Sequence, residues 1–347
     1  MNLLLFLLHL PRLTPNNTLL KKNLKCTAFL FLFCASFSVK AQNDVGLFIN
    51  DMLKVADDFA SPAAEAATFQ SGAGWFTTAK SLDLWQVKIS VHGNVLFVPE
   101  DKRSVSVSND NYQTFHIQGA TAADIPTGFG GATDVIFEGQ IQFLGQTEDF
   151  SFDAIDGIDK KMVAHPFVQA SVGLPYHTDL SVRFLPETTM DDISVSTYAV
   201  GLKHNFNQYF NFTRPTDFQF AALIAYSKFD VLYEYDPIEL ERIVRLHDIE
   251  VDANLWLFQL LTSKSFDNSG WEFLAAVGIT NSNFDYTMGG SGLALAPLND
   301  ALGSLNNNEK EFKGDVGINY NFSNFTISSA LSAGKFYNLN LGLHYRL

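Results

Sequence analysis

The chain has 347 residues, 37 acidic against 23 basic side chains, a net charge of −14, and 47% hydrophobic residues, among them 32 Phe. A surface this acidic repels phosphate backbones, which argues against nucleic acid as a partner and is compatible with divalent cations or a lipopolysaccharide surface. The length suits one large barrel or two soluble domains and does not choose between them.

Lys21, Lys22 and Lys25 precede an apolar run from Cys26 to Phe37, followed by Ser38-Val39-Lys40-Ala41 and Gln42. That order is the one of a secretory signal, and it puts the mature start at Gln42. The run is too short to cross a membrane as a helix, and Phe33 before Cys34 does not suit a lipoprotein signal. Residues 1–20, with a second apolar run Asn2–Leu10 broken by Pro11, read as the product of a mis-set start, with initiation expected near Leu19 or Leu20 on a non-AUG codon. Removing residues 1–41 takes away Arg12, Lys21, Lys22, Lys25 and Lys40 and no acid, so the net charge falls from −14 to −19. Both cysteines, Cys26 and Cys34, leave with it. The mature chain then has no thiol for a disulfide, a zinc–thiolate site, an iron–sulfur cluster or a cysteine nucleophile.

From Asp44 to Phe59, Leu47, Phe48, Met52, Val55, Ala56 and Phe59 recur at helical spacing until Ser61-Pro62, which predicts a short amphipathic helix ahead of the first strand. An apolar stripe of this size prefers burial, inside a barrel or across its periplasmic mouth. The organisation read from the sequence is therefore a signal over 1–41, a helical plug segment over 42–80 and a β-domain over 81–347.

Strand patterns follow. In Trp85–Val98 the residues Trp85, Val87, Ile89, Val91, Val95 and Phe97 alternate with Gln86, Lys88, Ser90, His92 and Asn94. Such a run exceeds the usual five or six residues of a soluble strand. Weaker patterns lie near Asn111–Gln118 and Asp134–Leu144. Pro166–Leu174 and Thr178–Leu185 alternate again, with a tight hairpin expected at Pro175-Tyr176-His177. Ile193–His204, Asp217–Ser227, His247–Phe258, Trp271–Asn281, Phe312–Phe322 and Phe325–Ala333 continue the series. In His247–Phe258 the apolar set Ile249, Val251, Ala253, Leu255 and Leu257 is expected to face lipid, which would turn Asp248, Glu250 and Asp252 into the lumen. Gly289–Asn308, rich in Gly, Leu, Ala and Asn, reads as an extracellular loop with a short helix at Leu298–Leu305.

The chain ends on Phe336–Leu347, where Tyr337, Leu339, Leu341, Leu343, Tyr345 and Leu347 share one face and Asn338, Asn340, Gly342, His344 and Arg346 the other. One face suits hydrocarbon and the other water, over a length that crosses an outer membrane when tilted. Ending on this strand also resembles the signal by which bacterial outer-membrane proteins reach their insertion machinery, although Leu347 stands where Phe is commoner. The fold class predicted is an all-β transmembrane antiparallel β-barrel of about 12 strands (range 10–14) with an N-terminal helical plug.

Two resemblances bear on this. Gly74-Trp75-Phe76-Thr77-Thr78-Ala79-Lys80, the strand to Pro99, Ile125-Pro126-Thr127 and Val172–Pro186, with Leu174-Pro175-Tyr176-His177-Thr178-Asp179 the most specific piece, resemble an uncharacterised family of Bacteroidota outer-membrane barrels. That resemblance implies fold and location and supplies no substrate. A plug-like segment carrying Pro62-Ala63 is similar to that of long-chain fatty-acid transporters.

Sites for chemistry are sparse. Ser90 and His92 share a face, but it is the polar face, so wetting of the lumen outweighs a lipase triad. Asp153, Asp156 and Asp159 surround Gly157 without the spacing or terminal Glu of a calcium loop. His165, His177, His204 and His247 are scattered, with no metal-ligand spacing. No catalytic, cofactor or metal residue is assigned, and an enzyme is not expected. The candidates are lumen-lining residues: Lys88, His92, Arg183, Asp248, Glu250, Asp252 and Arg346. The function expected is passive or selective passage of a small solute, hydrophobic ones included, with a structural, adhesive or assembly barrel as the alternative. Expected partners are outer-membrane lipid, lipopolysaccharide and the insertion machinery acting on Tyr337–Leu347.

Overall fold

The computed structural model describes residues 18–347 except 144–145, 191–192, 211–217, 241–242, 267–268 and 305–306, with side chains described from residue 44 onward apart from those and 143, 190 and 307. The reading of residues 1–17 as an upstream extension lies outside the described residues. The chain begins with helix α1 (Thr18–Ser71). Strand β1 (Val87–Phe97) follows, then five short strands, β2 (Ser104–Ser108), β3 (Phe115–Ile117), β4 (Ala122–Pro126), β5 (Ile136–Phe143) and β6 (Gln146–Asp153). After these come β7 (Met162–Leu174), β8 (Thr178–Met190), β9 (Ile193–Asn205), β10 (Gln219–Leu240), β11 (Val244–Ser265) and β12 (Trp271–Ser291). Helix α2 (Leu295–Leu302) leads to β13 (Asn307–Phe322), β14 (Phe325–Ala333) and β15 (Tyr337–Arg346).

Ten strands close an antiparallel barrel in the order β1-β15-β14-β13-β12-β11-β10-β9-β8-β7. They correspond to the ten stronger patterns in the sequence. The two weaker ones, near Asn111–Gln118 and Asp134–Leu144, form β3 and β5 of a separate three-stranded sheet, so the wall has ten strands, at the lower end of the expected 10–14. Short strands flanked by Asn, Gly and Thr cannot bury a membrane-length face, which is why they pair among themselves.

Alternation in the wall is as the pattern requires. Ile89, Val91, Val168, Val182, Leu341 and Leu343 are exposed on the outer surface, while Ser90, His92, Gln169, Ser181, Asn338 and Asn340 are buried inside. Outer aromatic side chains form two rows, Trp271, Tyr320, Phe322, Phe325 and Tyr345 at one end and Phe97, Phe184, Tyr198, Trp256 and Tyr337 at the other. These are the interfacial girdles of a membrane barrel. Leu174 pairs Thr178 around Tyr176 and His177, both at positive φ, and Phe322 pairs Phe325 around Ser323. These two turns share one barrel end with the β9–β10 and β11–β12 connections; the insertion between β1 and β7 and the β12–β13 connection lie at the other, which is the external end in the usual layout of bacterial barrels.

β10, β11 and β12, of 22, 22 and 21 residues, are about twice the 9–11 that cross a bilayer. Their outer halves rise beyond the external aromatic row. There they enclose α1 together with the insertion between β1 and β7, and Phe48, Met52, Val55 and Phe59 pack against Phe115, Phe137, Phe152, Phe229, Ile249 and Phe284. Asp51, fully buried, fixes the helix to the insertion by accepting from the Gln113 and Thr114 amides at 2.8 and 2.7 Å.

The helix does not stop at Ser61-Pro62 as its sequence suggested but runs through Pro62 to Ser71. Proline in a helix interior costs about 3 kcal/mol. Burial of Phe59, Ala64, Ala66 and Phe69 on either side, in a stretch rich in helix-favouring alanine, outweighs that cost. Likewise the loop expected over Gly289–Asn308 is shorter, because Gly289–Ser291 complete β12 and Asn307–Asn308 open β13, with α2 at Leu295–Leu302.

Residues 45–59 of the helix thus lie at the external end. With both cysteines in residues 1–41, an Asn50→Cys chain will react with a membrane-impermeant maleimide on intact cells. A Tyr176→Cys chain, at an equally accessible periplasmic turn, will react only after the membrane is opened; the reverse pattern would invert the orientation.

Candidate functional site

From Ser71 the chain leaves α1 and passes through the barrel interior to Leu82 before starting β1. An irregular segment inside a barrel has no ladder partner, so its carbonyls must find donors elsewhere. The wall supplies them. Arg183 of β8 donates to the Ser71 and Ala73 carbonyls at 3.0 and 3.1 Å, and Lys313 of β13 to Gly72 at 2.6 Å. Gln169 of β7 donates to Trp75 at 3.0 Å, Lys203 of β9 to Thr78 at 3.0 Å, and Asn205 to Ala79 at 2.8 Å. Asn319 of β13 donates to the Thr77 carbonyl. In return the plug donates: Leu82 N to Asp179 of β8 at 2.9 Å, Thr78 Oγ1 to Glu272 of β12 at 2.6 Å, and Ala79 N to Ser263 of β11 at 3.0 Å.

Shape holds the same segment. Gly74 has φ +66°, a left-handed conformation, and a Cβ there would lie 2.5 Å from the Asn340 side chain of β15. Trp75, 2% exposed, fits over Gly201, where a Cβ would come within 2.6 Å of its ring. The Arg183 guanidinium is sandwiched between Trp75 and Phe167, 4.3 and 3.8 Å from their centroids, and His92 stacks on the far face of Phe167 at 4.6 Å. Cation–π contacts of a desolvated guanidinium are worth about 2 kcal/mol.

These contacts place four of the seven sequence candidates inside. Arg183 holds the plug from Ser71 to Trp75, and His92 backs it through Phe167 and meets Asn340 at 3.1 Å. Lys88 and Arg346 line a polar vestibule of about 400 Å³ below it, which opens toward the periplasmic end. Arg346 also donates to the Ser323 carbonyl at 3.1 Å.

Asp248, Glu250 and Asp252 require a correction. They lie on the outer face of β11, and it is Ile249, Val251, Ala253, Leu255 and Leu257 that point inward, each at most 6% exposed. Asp252 joins Lys228 and Asp230 of β10 on that outer surface, 3.3 Å separating Lys228 from each. Alternation separates two faces but does not say which medium each one meets. Above the external aromatic row the outer face meets water and the inner face meets the apolar side of α1. The membrane-facing signal in the same strand was Trp256, Phe258 and Leu260, in phase with the acids.

The interior is therefore not acidic. Among the described buried wall residues, Lys88, Arg183, Lys203 and Lys313 stand against Asp179, Glu272 and Asp315. Lys203 pairs with Asp179 at 2.9 Å and Lys313 with Asp315 at 3.2 Å, each lysine 1% exposed. Sequence reading missed Asp179, Lys203 and Lys313, though each sits in phase with the polar face of its strand. Ser90 and His92 do not form a dyad, because Ser90 Oγ bonds His344 at 2.7 Å and His344 bonds Ser328 at 2.8 Å. In the acidic turn Asp156 accepts from the Thr133 amide at 2.8 Å and Asp159 pairs with Arg103.

A second lock sits at the external rim. Glu65 of α1 is ion-paired with Lys335, in the β14–β15 turn, and with Lys102 at 3.1 Å. Burial pushes the Glu65 carboxyl up, but the two lysines outweigh it and hold it below the usual glutamate range. For Lys335 burial works downward and the pairing with Glu65 and Glu309 outweighs it, leaving it raised. A depressed carboxyl contributes stability above its unfolded value and loses it as pH falls through the folded one; a raised lysine contributes below its unfolded value and loses it as pH rises through the folded one. The lock is thus complete at neutral pH and weakens on acidification, with Asp57, Glu309 and Glu311 as its other ionisable neighbours. Expressed as thermal transitions, the gap between the natural chain and Glu65→Gln will be largest near pH 7 and close as pH falls through the carboxylate range.

The model of a family of unknown function, DUF6588, matches residues 20–347. The chain belongs to that family. No curated protein matches it. Among solved structures, the beta domain of the Bordetella autotransporter Brka is similar at 8% identity and TM-score 0.38, over 76% of this chain and all of that one. The translocator domain of autotransporter NalP from Neisseria meningitidis is similar at 8% identity and TM-score 0.34, covering 86% and 98%. The outer membrane channel DcaP of Acinetobacter baumannii follows at 8% and 0.21, covering 79% and 100%. Scores this low carry no argument about activity.

Proposed function

We propose that this protein is a bacterial outer-membrane barrel, exported by cleavage after Ala41, that passes or binds a small hydrophobic solute selectively and does not act as an open pore. The observation that carries the reading is the plug: residues 71–82 are held by side chains from β7, β8, β9, β11, β12 and β13, so free water has no straight path. Lipid, lipopolysaccharide around the external rim and the insertion machinery at Tyr337–Leu347 are the partners this placement calls for. The alternative, an adhesive or assembly barrel, draws on the external end, where α1, the insertion and the long β10–β12 ribbons build a core of their own.

The test is a planar-bilayer recording of the purified full chain, with heat-modifiable gel migration confirming the fold. Silent membranes are expected. Steady ohmic current from the natural chain would remove the sealed-barrel reading, and recovery in the soluble fraction would remove the membrane one. N-terminal sequencing of the purified protein checks the cleavage at Gln42.

A further inference from the structure

Between α1 and the wall lies a cavity of about 360 Å³, within the ~300–1,000 Å³ range of small-molecule sites. Its helix side is made of Ala60, Ala63, Ala66 and Ala67, whose small side chains leave the room, and its far side of Val195, Phe229, Val231 and Val251. The lining also carries Gln70, Ser71, Lys160, Thr197 and Tyr233, and among the described polar atoms around it a buried ring nitrogen of His165 stands out. His165 of β7 is 7% exposed; its Nε2 meets Thr197 Oγ1 at 3.1 Å, and its Nδ1 has no partner. A buried ring nitrogen without a partner costs about 1–3 kcal/mol unless something occupies the space before it.

The wall beside this cavity is parted. β7 pairs with β1 from Met162 to Val172, nearly its whole length, but with β8 only over Val168–Leu174. β8 continues to Met190 paired with β9 instead. Val168 pairs Phe184, so continuing that register would set Pro166 against Pro186, and neither has an amide hydrogen to give the ladder. The parted ends lie at the external aromatic row, since Met162 pairs Phe97 and Phe184 is the last β8 residue in the ladder. The cavity also takes lining from both faces of β7, outward Met162 and Ala164 as well as inward Val163 and His165. It therefore reaches round the free edge of that strand.

We infer that this cavity is a binding site for a single-chain amphiphile, a hydrocarbon chain with a hydrogen-bonding oxygen head, which enters sideways from the outer leaflet between β7 and β8. The chain lies along the alanines of α1, where removal from water is favourable, and the head meets His165 Nδ1. The inference rests on the sealed-barrel reading, because a solute that cannot use the lumen needs another way in.

The test uses palmitate carrying a diazirine on its chain, photo-crosslinked to the full-length protein in phosphatidylcholine nanodiscs, with the crosslinked peptides mapped. Adducts on the peptides holding residues 59–67 and 193–197 are expected. His165→Phe, which keeps the ring and removes the nitrogens, lowers them about tenfold, as loss of one buried hydrogen bond does. Ala67→Trp, which fills the cavity, abolishes them; should that variant lose heat-modifiable migration, His165→Phe decides. Pro166→Val with Pro186→Thr restores both amides and slows the appearance of internal adducts while leaving their final level unchanged. Adducts confined to the lipid-facing surface, at Val182 or Phe258, or internal adducts indifferent to His165→Phe, would overturn the site. Bilayer recordings on the same samples separate the two readings: missing adducts in a silent barrel sink the cavity alone, whereas current sinks the seal.

Discussion

Lys203→Met will lower the stability of the folded barrel by about 3–5 kcal/mol, the cost of breaking a buried ion pair by deleting one partner. Lys203 and Asp179 are 1% and 2% exposed and 2.9 Å apart, so the substitution leaves a buried carboxylate without its ion-pair partner. The loss is enlarged by what else the ammonium does. It donates to the Thr78 carbonyl at 3.0 Å and lies over the Phe76 ring at 4.6 Å, so it joins β9 to the plug as well as to β8. Methionine keeps the chain length and the packing, which isolates the charge. Adding Asp179→Asn to Lys203→Met will recover most of the loss, because the orphaned charge disappears while the donor from Leu82 still has an oxygen to meet. The measurement is the temperature of the heat-modifiable gel shift for both single variants and the double one. Equal losses that simply add in the double variant would mean the two side chains do not act as a pair.

Arg183→Ala acts on the plug more than on the wall. It deletes the donor to two plug carbonyls and the cation between Trp75 and Phe167, and leaves a void where a planar group was. Hydrogen bonds from a charged donor are worth about 1.5–3 kcal/mol each, so the segment from Ser71 to Trp75 loses on the order of 4 kcal/mol of anchoring. The wall keeps its ladders, and the variant will still migrate as a folded barrel. Its signature will be transient current steps in bilayers where the natural chain is silent. Arg183→Lys will fall between the two, since a point charge cannot serve both carbonyls and both rings as the planar fork does. A silent Arg183→Ala barrel would show that the segment is held by shape alone, through Gly74 and Gly201.

Both expectations rest on residues that the sequence revealed unequally. Arg183 was in phase with the polar face of an unmistakable strand and was picked out. Lys203 and Asp179 were in phase on their own strands, but their strength lies in the pairing of β8 with β9, which sets them side by side. The ten stronger strand patterns became the ten wall strands, and the lipid face of β15 was legible residue by residue from Tyr337 to Leu347. The outer half of β11 read backwards because its apolar face is covered by protein, and an apolar face looks the same whether lipid or a helix covers it. Pro62 read as a stop for a local reason that distant burial overrode.

What the amino-acid order determined is local: period-two alternation over membrane length, the tight hairpin at Pro175-Tyr176-His177, and the two faces of each strand. These follow from backbone geometry and from neighbours a few residues apart, so they can be seen without a fold. The tertiary structure alone decided which medium meets each face beyond the membrane, that the lumen is filled by the chain's own residues 71–82, and that β7 and β8 part at Pro166 and Pro186. Each of these depends on which distant segments are brought together, and burial and pairing energies are properties of that juxtaposition. The closing strand, clear from its own twelve residues, acquires its inner partners, Asn94 for Asn338 and Asn340 and Ser90 for His344, only when the barrel brings β1 beside it.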